Sequence, residues 1–304
     1  MKIVNINLAS DVIVIRSAWI NKHFLIRFLW ENTFLPWLLK KKKIDILHGM
    51  DYSIPLIPTV FKKITTFHDA ILVTQFDGRP LIKKAILRFM FKKYLKASNI
   101  VVTVSEFSKN DIQKRFNFQK KIINAGIAIQ NFYFEFQSEK KSFSKFEHLV
   151  VKQMYFIYYG GYRHNKNVEY LRNTEGILKK YGYKLVLIGA PDNFFANISD
   201  LDEMTVRFQA LSQEDLCILI SNSAALIFPS FYEGFGLPVV ETMALGVPVV
   251  CADNTSLAEI AGQSALLFNL NDVQEFKDKL ALLIEDKLLR AKLIALGYER
   301  AALF

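Results

Sequence analysis

From Met154 to Phe268 the chain alternates short apolar runs with stretches of helical period, and that alternation narrows the folds open to it. MYFIYY (154–159), KLVLI (184–188), TVRF (205–208), ALIF (225–228), VPVVC (247–251) and ALLF (265–268) read as strands too uniformly apolar to leave one face in water. Between them lie helical patterns: Asn167–Tyr181 closed by Gly182, Ser212–Asn222 with Ser212 as N-cap, and Pro238–Leu245. Beyond residue 268 the pattern is helical. Strand–helix–strand units of this kind wind right-handed and build a parallel sheet. The first half repeats the scheme less completely. DILH (45–48), KITTFHD (63–69) and NIVVTVS (99–105) read as buried parallel strands, and Pro80–Ala97 as a basic amphipathic helix. Asn131–Val150 has neither period and collects Ser, Lys and Glu, so it reads as irregular. The expected organisation is α/β, with a first domain over 1–135, a linker over 136–150 and a second domain over 151–304. The two parallel-sheet halves face each other across a cleft, with ligands at the carboxyl ends of the strands.

FPSFYEGFGLPVVETMALGVPVVCADNTSLAEIAG (228–262) carries the most chemistry. A strand ends at Phe228, a loop carries Glu233-Gly234-Phe235-Gly236, and Pro238 opens a helix where its missing N–H costs nothing. Glycines admit a ligand close to the backbone, and a helix N-terminus favours an anion such as a diphosphate. Glu233 and Glu241 stand eight apart around that seat, Glu241 in the first turn of the helix. Two acceptor-only carboxylates so placed suit hydroxyls on either side of a phosphate, a sugar on one and a ribose on the other. A nucleoside-diphosphate sugar has both. Gly160-Gly161-Tyr162-Arg163-His164-Asn165-Lys166-Asn167 follows a strand and adds a close-approach backbone with one or two cations for a departing diphosphate. Thr66-Phe67-His68-Asp69 and Ser105-Glu106-Phe107-Ser108 lie at strand ends in the first half.

Charge divides the chain in the same place. Residues 1–150 hold 25 Lys and Arg against 11 Asp and Glu, a balance of +14, while the rest hold 14 against 18, a balance of −4. The basic half is expected to seek an anionic surface, although lysine-rich faces also serve plain solubility. In Pro80–Ala97, Lys84, Arg88, Lys92 and Lys96 recur at four-residue steps, with Leu81, Ala85 and Phe89 around the turn. That suits an anionic membrane surface; a solvated outer face explains it nearly as well. Lys40–Lys43 and the aromatics Trp19, Trp30, Phe34 and Trp37 lean the same way, or else belong to the core. No basic recognition element points to nucleic acid. The longest uncharged stretch, Leu216–Tyr232, is broken by Ser221, Asn222, Ser223, Pro229 and Ser230, which argues against a membrane span, and the N-terminus makes a poor secretory signal. Cys217 and Cys251 show no Cys-x-x-Cys spacing, so a reducing cytosol is expected, with neither a disulfide framework nor a cysteine zinc site.

These motifs resemble the retaining glycosyltransferases of family 4, of the GT-B fold, from about Glu31 to the C-terminus. The resemblance rests on Glu233-x7-Glu241 with EGFGLP, on Ser-Glu-Phe-Ser-Lys after VVTV, on the strand running into His68-Asp69, and on Thr-Ser-Leu-x-Glu (255–259). It implies two Rossmann-like domains. It also implies that Glu241 holds the nucleotide ribose, and that Glu233 and the amides of Gly234, Phe235 and Gly236, with Leu237 beside them, meet the donor sugar and diphosphate. Lys166 matches the family's diphosphate-binding lysine and His68 its cleft histidine, with Gly161 and Arg163 alongside. His68, Glu233 and Lys166 are thus the expected catalytic group. The implied partners are a nucleotide-sugar donor and a glycan or lipid-linked acceptor of cell-surface polysaccharide synthesis. Mannose is the favoured hexose, no metal or cofactor is required, and the implied location is cytoplasmic, peripheral at the inner membrane face. Asn165 stands where the family has Arg. No glycine precedes Gly49, and the sequence ends at Glu-Arg-Ala-x-x-Phe (299–304), so the chain is expected to be shortened at both ends.

Each residue also has a plainer reading. Lys166 could be a solvated lysine beside a turn, Arg163 a surface cation, and His68 a partly buried histidine satisfied by the fold. His23, His48, His148 and His164 show no metal-ligand spacing, and Asp200-Leu201-Asp202 reads as a solvated loop rather than a metal-binding Asp-x-Asp. The competing functions are a nucleotide-sugar-binding module without turnover, a sugar-nucleotide epimerase on the same fold, and a nucleic-acid binder.

Overall fold

The computed structural model describes residues 24–138, 141–189 and 203–304. Trp19, His23 and Asp200–Asp202, singled out above, lie outside the described residues. Among the described residues the first half contains α1 (Phe24–Asn32), α2 (Phe34–Lys41), β1 (Ile46–Gly49), β2 (Lys62–Thr66), α3 (Leu81–Ala97), β3 (Ile100–Thr103), α4 (Glu106–Phe116) and β4 (Ile122–Asn124). The second half contains α5 (Phe132–Ser138), β5 (Tyr155–Tyr158), α6 (Glu175–Tyr181), β6 (Lys184–Ile188), β7 (Thr205–Phe208), α7 (Gln213–Ser221), β8 (Ala225–Phe228), α8 (Leu237–Ala244), β9 (Val249–Ala252), α9 (Thr255–Ala261), β10 (Leu266–Phe268), α10 (Val273–Glu285) and α11 (Lys287–Ala301).

Both sheets are wholly parallel. The smaller runs β1-β2-β3-β4 and the larger β10-β9-β8-β5-β6-β7. The fold is therefore the expected pair of Rossmann-like domains. In the larger sheet β5, β8 and β9 are buried at every position, as their unbroken apolar sequences require, whereas the edge strands β7 and β10 are only partly covered. β5 is followed by β6 on one side and later flanked by β8 on the other, so the order of connection reverses between them. In a doubly wound sheet that switch point opens a crevice above the strands' carboxyl ends. The loops leaving β5 and β8 are the two motif-bearing segments, Gly160–Asn167 and Pro229–Gly236.

Three sequence expectations change. Asn131–Val150 is not irregular: it carries α5 and a short 3-10 turn at Ser144–Phe146. Phe136, Phe143 and Phe146 from this segment are buried in the core of the larger sheet, with Phe143 stacked on Tyr155 and Phe146 edge-on to Phe208. Its aromatics show no single period because they reach the core from a short helix and a separate 3-10 turn. Second, Asn167–Tyr181 is helical only from Glu175. Val168–Thr174 is a 3-10 segment, entered through Asn167 in the left-handed region at φ 51°. Third, β4 and α9 escaped notice, being only three and seven residues long.

Candidate functional site

The loop after β8 is held from below by asparagines. Asn167 Nδ2 donates to the Pro229 carbonyl (3.1 Å), Asn254 Nδ2 to that of Ser230 (3.0 Å) and Asn165 Nδ2 to that of Tyr232 (3.0 Å). The Phe231 amide returns a bond to the Asn165 carbonyl (2.8 Å). Asn165 thus locks the glycine turn after β5 to the loop after β8, a role for which its amide is the right size. Hydroxyls then fix the next three residues. Thr255 Oγ1 accepts from the Glu233 amide (3.3 Å), and Ser256 Oγ lies 3.0 Å from both the Glu233 and the Phe235 carbonyls. Ser105 Oγ donates to the Gly234 carbonyl (2.7 Å), and Ser108 Oγ lies 3.0 Å from the same oxygen. The Ser-x-x-Ser and Thr-Ser segments therefore work as clamps on one backbone turn. Thr255 itself sits at φ 50°, which a β-branched residue rarely adopts, and such strain gathers at functional sites.

So placed, Glu233 is buried and its carboxylate is bound by Lys166 Nζ at 2.7 and 3.0 Å. Both line a cavity of about 770 Å³ between the two halves. The second half gives it Gly160, Gly161, Arg163, His164 and Asn165; the first half gives Asp69, Leu72, Phe76, Asp77 and Arg79. Gly160, at φ 131°, is glycine of necessity: a Cβ there would stand 3.2 Å from the Phe228 ring. Asp69 takes hydrogen bonds from the Ile71 amide (2.9 Å) and Tyr52 Oη (3.2 Å). Burial raises its carboxyl above the usual range, and the nearby Glu233 adds to that.

The halves meet around this loop. Tyr232, fully buried, donates to Asp111 Oδ2 (2.7 Å) and accepts from the Ala70 amide (3.2 Å). Phe231 stacks on Phe76 with centroids 5.6 Å apart. Glu259, on α9, receives the first two amides of α4, those of Glu106 (2.9 Å) and Phe107 (2.8 Å), while Ser105 takes that of Ser108. A carboxylate from one half thus caps a helix of the other, where the helix dipole favours negative charge. Glu259→Ala is expected to cost about 1 kcal/mol, as a lost N-cap does, and to lower Tm by a few degrees. Glu259→Gln, keeping one acceptor, should recover about half. An unchanged melting curve in Glu259→Ala would remove this contact from the account of how the halves are held.

The residues singled out from sequence separate into two groups. Glu233, Lys166, Arg163 and Gly161 line the cavity, with Gly234 and Gly236 in the adjoining turn. His68 does not line it: its ring turns away to Met50, Nε2 lying 2.8 Å from that carbonyl, and Asp69 takes the cavity position instead. The Phe235 ring packs edge-on against Phe304, leaving only its backbone at the turn, and Leu237 is exposed at the start of α8. Glu241 lies in the second turn of α8, not the first, beside Tyr159, whose hydroxyl is 3.4 Å from Oε2. Burial raises its carboxyl, against hydrogen bonds from Tyr133 and Tyr159 that lower it. Asp69, Tyr232, Arg79, Asn167 and Asn254 were not picked out as site residues, and Asn165 was noted only as a departure from the family. Asp69 alone carried a signal, as the neighbour of His68 at a strand's carboxyl end.

Comparison with known proteins accords with this geometry. The model of the glycosyl transferases group 1 matches residues 139–300, and that of Glycosyltransferase Family 4 matches 7–130. The likeness therefore begins well ahead of Glu31, where the sequence motifs alone had placed it. The chain is 29% identical over 285 residues to O-antigen chain mannosyltransferase B of Escherichia coli, covering 88% of this chain and 72% of that one. It is 27% identical over 218 residues to the Salmonella typhimurium O-antigen chain mannosyltransferase RfbU, covering 67% of this chain and 58% of that one. Among solved structures, a glycosyltransferase from Rickettsia africae superposes with a TM-score of 0.70 at 18% identity, over 95% of this chain and 79% of that one. WaaG, a glycosyltransferase involved in lipopolysaccharide biosynthesis, gives 0.69 at 15%, over 91% and 78%. At those identities the structures speak for the GT-B fold alone.

Proposed function

Because this chain belongs to the group 1 glycosyl transferases, we propose that it is a retaining mannosyltransferase of cell-surface polysaccharide synthesis. Its donor is a nucleoside-diphosphate mannose, with GDP-mannose the first to test, and its acceptor a glycan or lipid-linked glycan. The observation that carries this is the Lys166–Glu233 pair in a cavity walled by both halves, in a chain that resembles an O-antigen mannosyltransferase over 88% of its length. A diphosphate substitutes for Glu233 as partner of Lys166, and a sugar hydroxyl substitutes for Lys166 as partner of Glu233. Arg163, on the cavity wall, and the N-terminus of α8, whose Pro238 lies beside Gly160, share the phosphate charge, and Glu241 takes the ribose hydroxyls.

In the reaction the bond from the anomeric carbon to the phosphate oxygen breaks and a bond to the acceptor oxygen forms on the same face. The acceptor's proton goes to the departing phosphate oxygen, so no side-chain nucleophile is needed. Lys166 and the helix N-terminus stabilise the charge that develops, which assigns the work to fixed protein dipoles and no metal. Cys217 and Cys251 are both free and buried, which fits a cytoplasmic setting. Among the described residues no helix is long and apolar enough to cross a membrane.

The test is thermal shift with GDP-, UDP-, ADP- and dTDP-sugars, with Glu241→Ala in parallel. At a hundredfold excess over Kd the cognate donor should add about 2.7 kcal/mol, several degrees of Tm. Glu241→Ala should abolish that shift. In the parent protein, donor affinity should fall on acidification at a higher pH than an ordinary glutamate would give. Burial raises the Glu241 carboxyl, and the protonated form loses the charge that the ribose hydroxyls donate to. Retention is checked by the anomeric configuration of the disaccharide product. A folded protein indifferent to every donor would sink the transferase reading and favour a degenerate homologue.

A further inference from the structure

The first-half wall of the cavity carries a carboxylate that is only half committed. Asp69 Oδ1 takes both of the bonds that hold the side chain, from the Ile71 amide (2.9 Å) and from Tyr52 Oη (3.2 Å). Oδ2 accepts from no described residue, and it faces the turn of the other half, where a Cβ on Gly234 would stand 3.0 Å from it. A residue needed only to cap the short turn Ile71–Val73 would be complete with Oδ1. Tyr52, which aims the carboxylate, is held under strain. Its ring stacks on Phe91 with centroids 5.0 Å apart, and its backbone sits at φ 58°, where a bulky residue rarely goes. Charge along this wall is lopsided. Arg79 is neutralised by Asp77 at 3.2 Å, and His68 is turned to Met50. Among the described residues, Asp69 is therefore the one unpaired charge that the first half brings to the cavity, while Arg163, His164 and Lys166 stand on the opposite wall.

We infer that Asp69 binds the acceptor through Oδ2, and that the ring it holds is an uncharged sugar. An acceptor-only carboxylate oxygen open to a cavity matches a hydroxyl, and the bond it takes is charge-assisted. Leu72 and Phe76, the latter fixed by its stack on Phe231, give the same wall an apolar surface for the face of a sugar ring. A phosphate or carboxylate placed there would meet Asp69 and Glu233 together, while the cations across the cavity are engaged by the diphosphate. The hydroxyl held is a neighbour of the attacking one, whose own proton stays free for the departing phosphate oxygen. Acceptor choice thus belongs to the first half, a conclusion that rests on the glycosyl-transfer reading.

The experiment measures initial rates of nucleoside diphosphate release from the donor that gives the thermal shift, GDP-mannose first. The acceptors are the methyl glycosides of mannose, galactose and N-acetylglucosamine, with mannose 6-phosphate as the anionic probe. One neutral glycoside should be used at least about tenfold better than mannose 6-phosphate. Asp69→Asn keeps Oδ1 for Ile71 and Tyr52 and sets an amide donor where Oδ2 stood, so a purely structural role predicts no change. Instead its kcat/KM for that glycoside should fall about tenfold to a hundredfold, the loss of one charge-assisted bond, and the bias against mannose 6-phosphate should shrink. Tyr52→Phe, which only loosens the carboxylate, should lose about threefold to tenfold. The donor-induced thermal shift should match the parent's in both variants. An unchanged kcat/KM in Asp69→Asn, or loss of its donor shift, overturns the proposal and leaves the transferase reading standing. So does a parent that prefers mannose 6-phosphate or responds to no neutral glycoside. A parent with no donor shift removes the transferase reading, and this inference with it.

Discussion

Gly234→Ala should reduce glycosyl transfer at least a hundredfold while moving Tm by only a few degrees. A Cβ at position 234 would stand 2.7 Å from the Asp69 Cβ, 2.7 Å from the His68 carbonyl and 3.0 Å from Asp69 Oδ2. Two of those neighbours are backbone or next to it, and all belong to the opposite half of the molecule. The Gly234 carbonyl meanwhile is held by Ser105 and Ser108, so the residue cannot withdraw without giving up both. Overpacking of this kind costs about 1–3 kcal/mol. The strain falls on the interface between the halves, not on either core, so it is relieved by parting them rather than by unfolding. An opening of about 1 Å across a site fed from both walls is enough for a hundredfold loss in rate. Gly176→Ala, where the added carbon meets nothing, is the control. Rates equal to the parent in Gly234→Ala would show that the contact between halves does not set the reacting geometry.

The strands were legible because a parallel sheet buried on both faces leaves a plain imprint: YFIY, KLVLI, ALIF and VVCA cannot face water. The strand order was not legible, since nothing in these runs records which neighbour each will take. The helix of Asn167–Tyr181 was half right because composition does not distinguish a 3-10 turn from the start of an α-helix. The α5 segment failed for the opposite reason. Its phenylalanines serve a core that lies far off in sequence, and polar residues between them mask it.

At the site, charge and glycine were readable and support was not. Glu233, Lys166 and Gly161 announce themselves by residue type at a strand end. Asn165 was read as a departure from the family, yet it ties Tyr232 to the turn after β5, a bond between residues 67 apart that no local pattern could reveal. The inversion at His68 and Asp69 has the same origin. Successive side chains leaving a strand point opposite ways, and sequence does not say which faces the cavity. The structure turns the histidine to Met50 and the aspartate inward.

The pair Lys166–Glu233 separates the structural from the ligand-binding reading most sharply. Removing one partner leaves the other charge buried, and Lys166→Ala is the worse case because Glu233 is then left facing Asp69. A fully buried pair broken in this way costs about 3–5 kcal/mol; with side chains 16 and 9% exposed at a cavity wall, about 2–3 kcal/mol is expected here. Glu233→Gln keeps the shape and should cost less. Since the two side chains touch, the stability costs in the double variant should sum to less than the singles. Transfer should fall about a hundredfold to a thousandfold in each single variant. Ligand response divides them further. With the donor proposed above, free GDP has the diphosphate and lacks the sugar, so its thermal shift should vanish in Lys166→Ala and persist in Glu233→Gln, whereas the added shift of GDP-mannose over GDP should vanish in Glu233→Gln. A pair that only supported the fold would lose both responses together or neither. That outcome would leave the anion seat to Arg163 and the N-terminus of α8, with Lys166 reduced to a strut beneath Glu233.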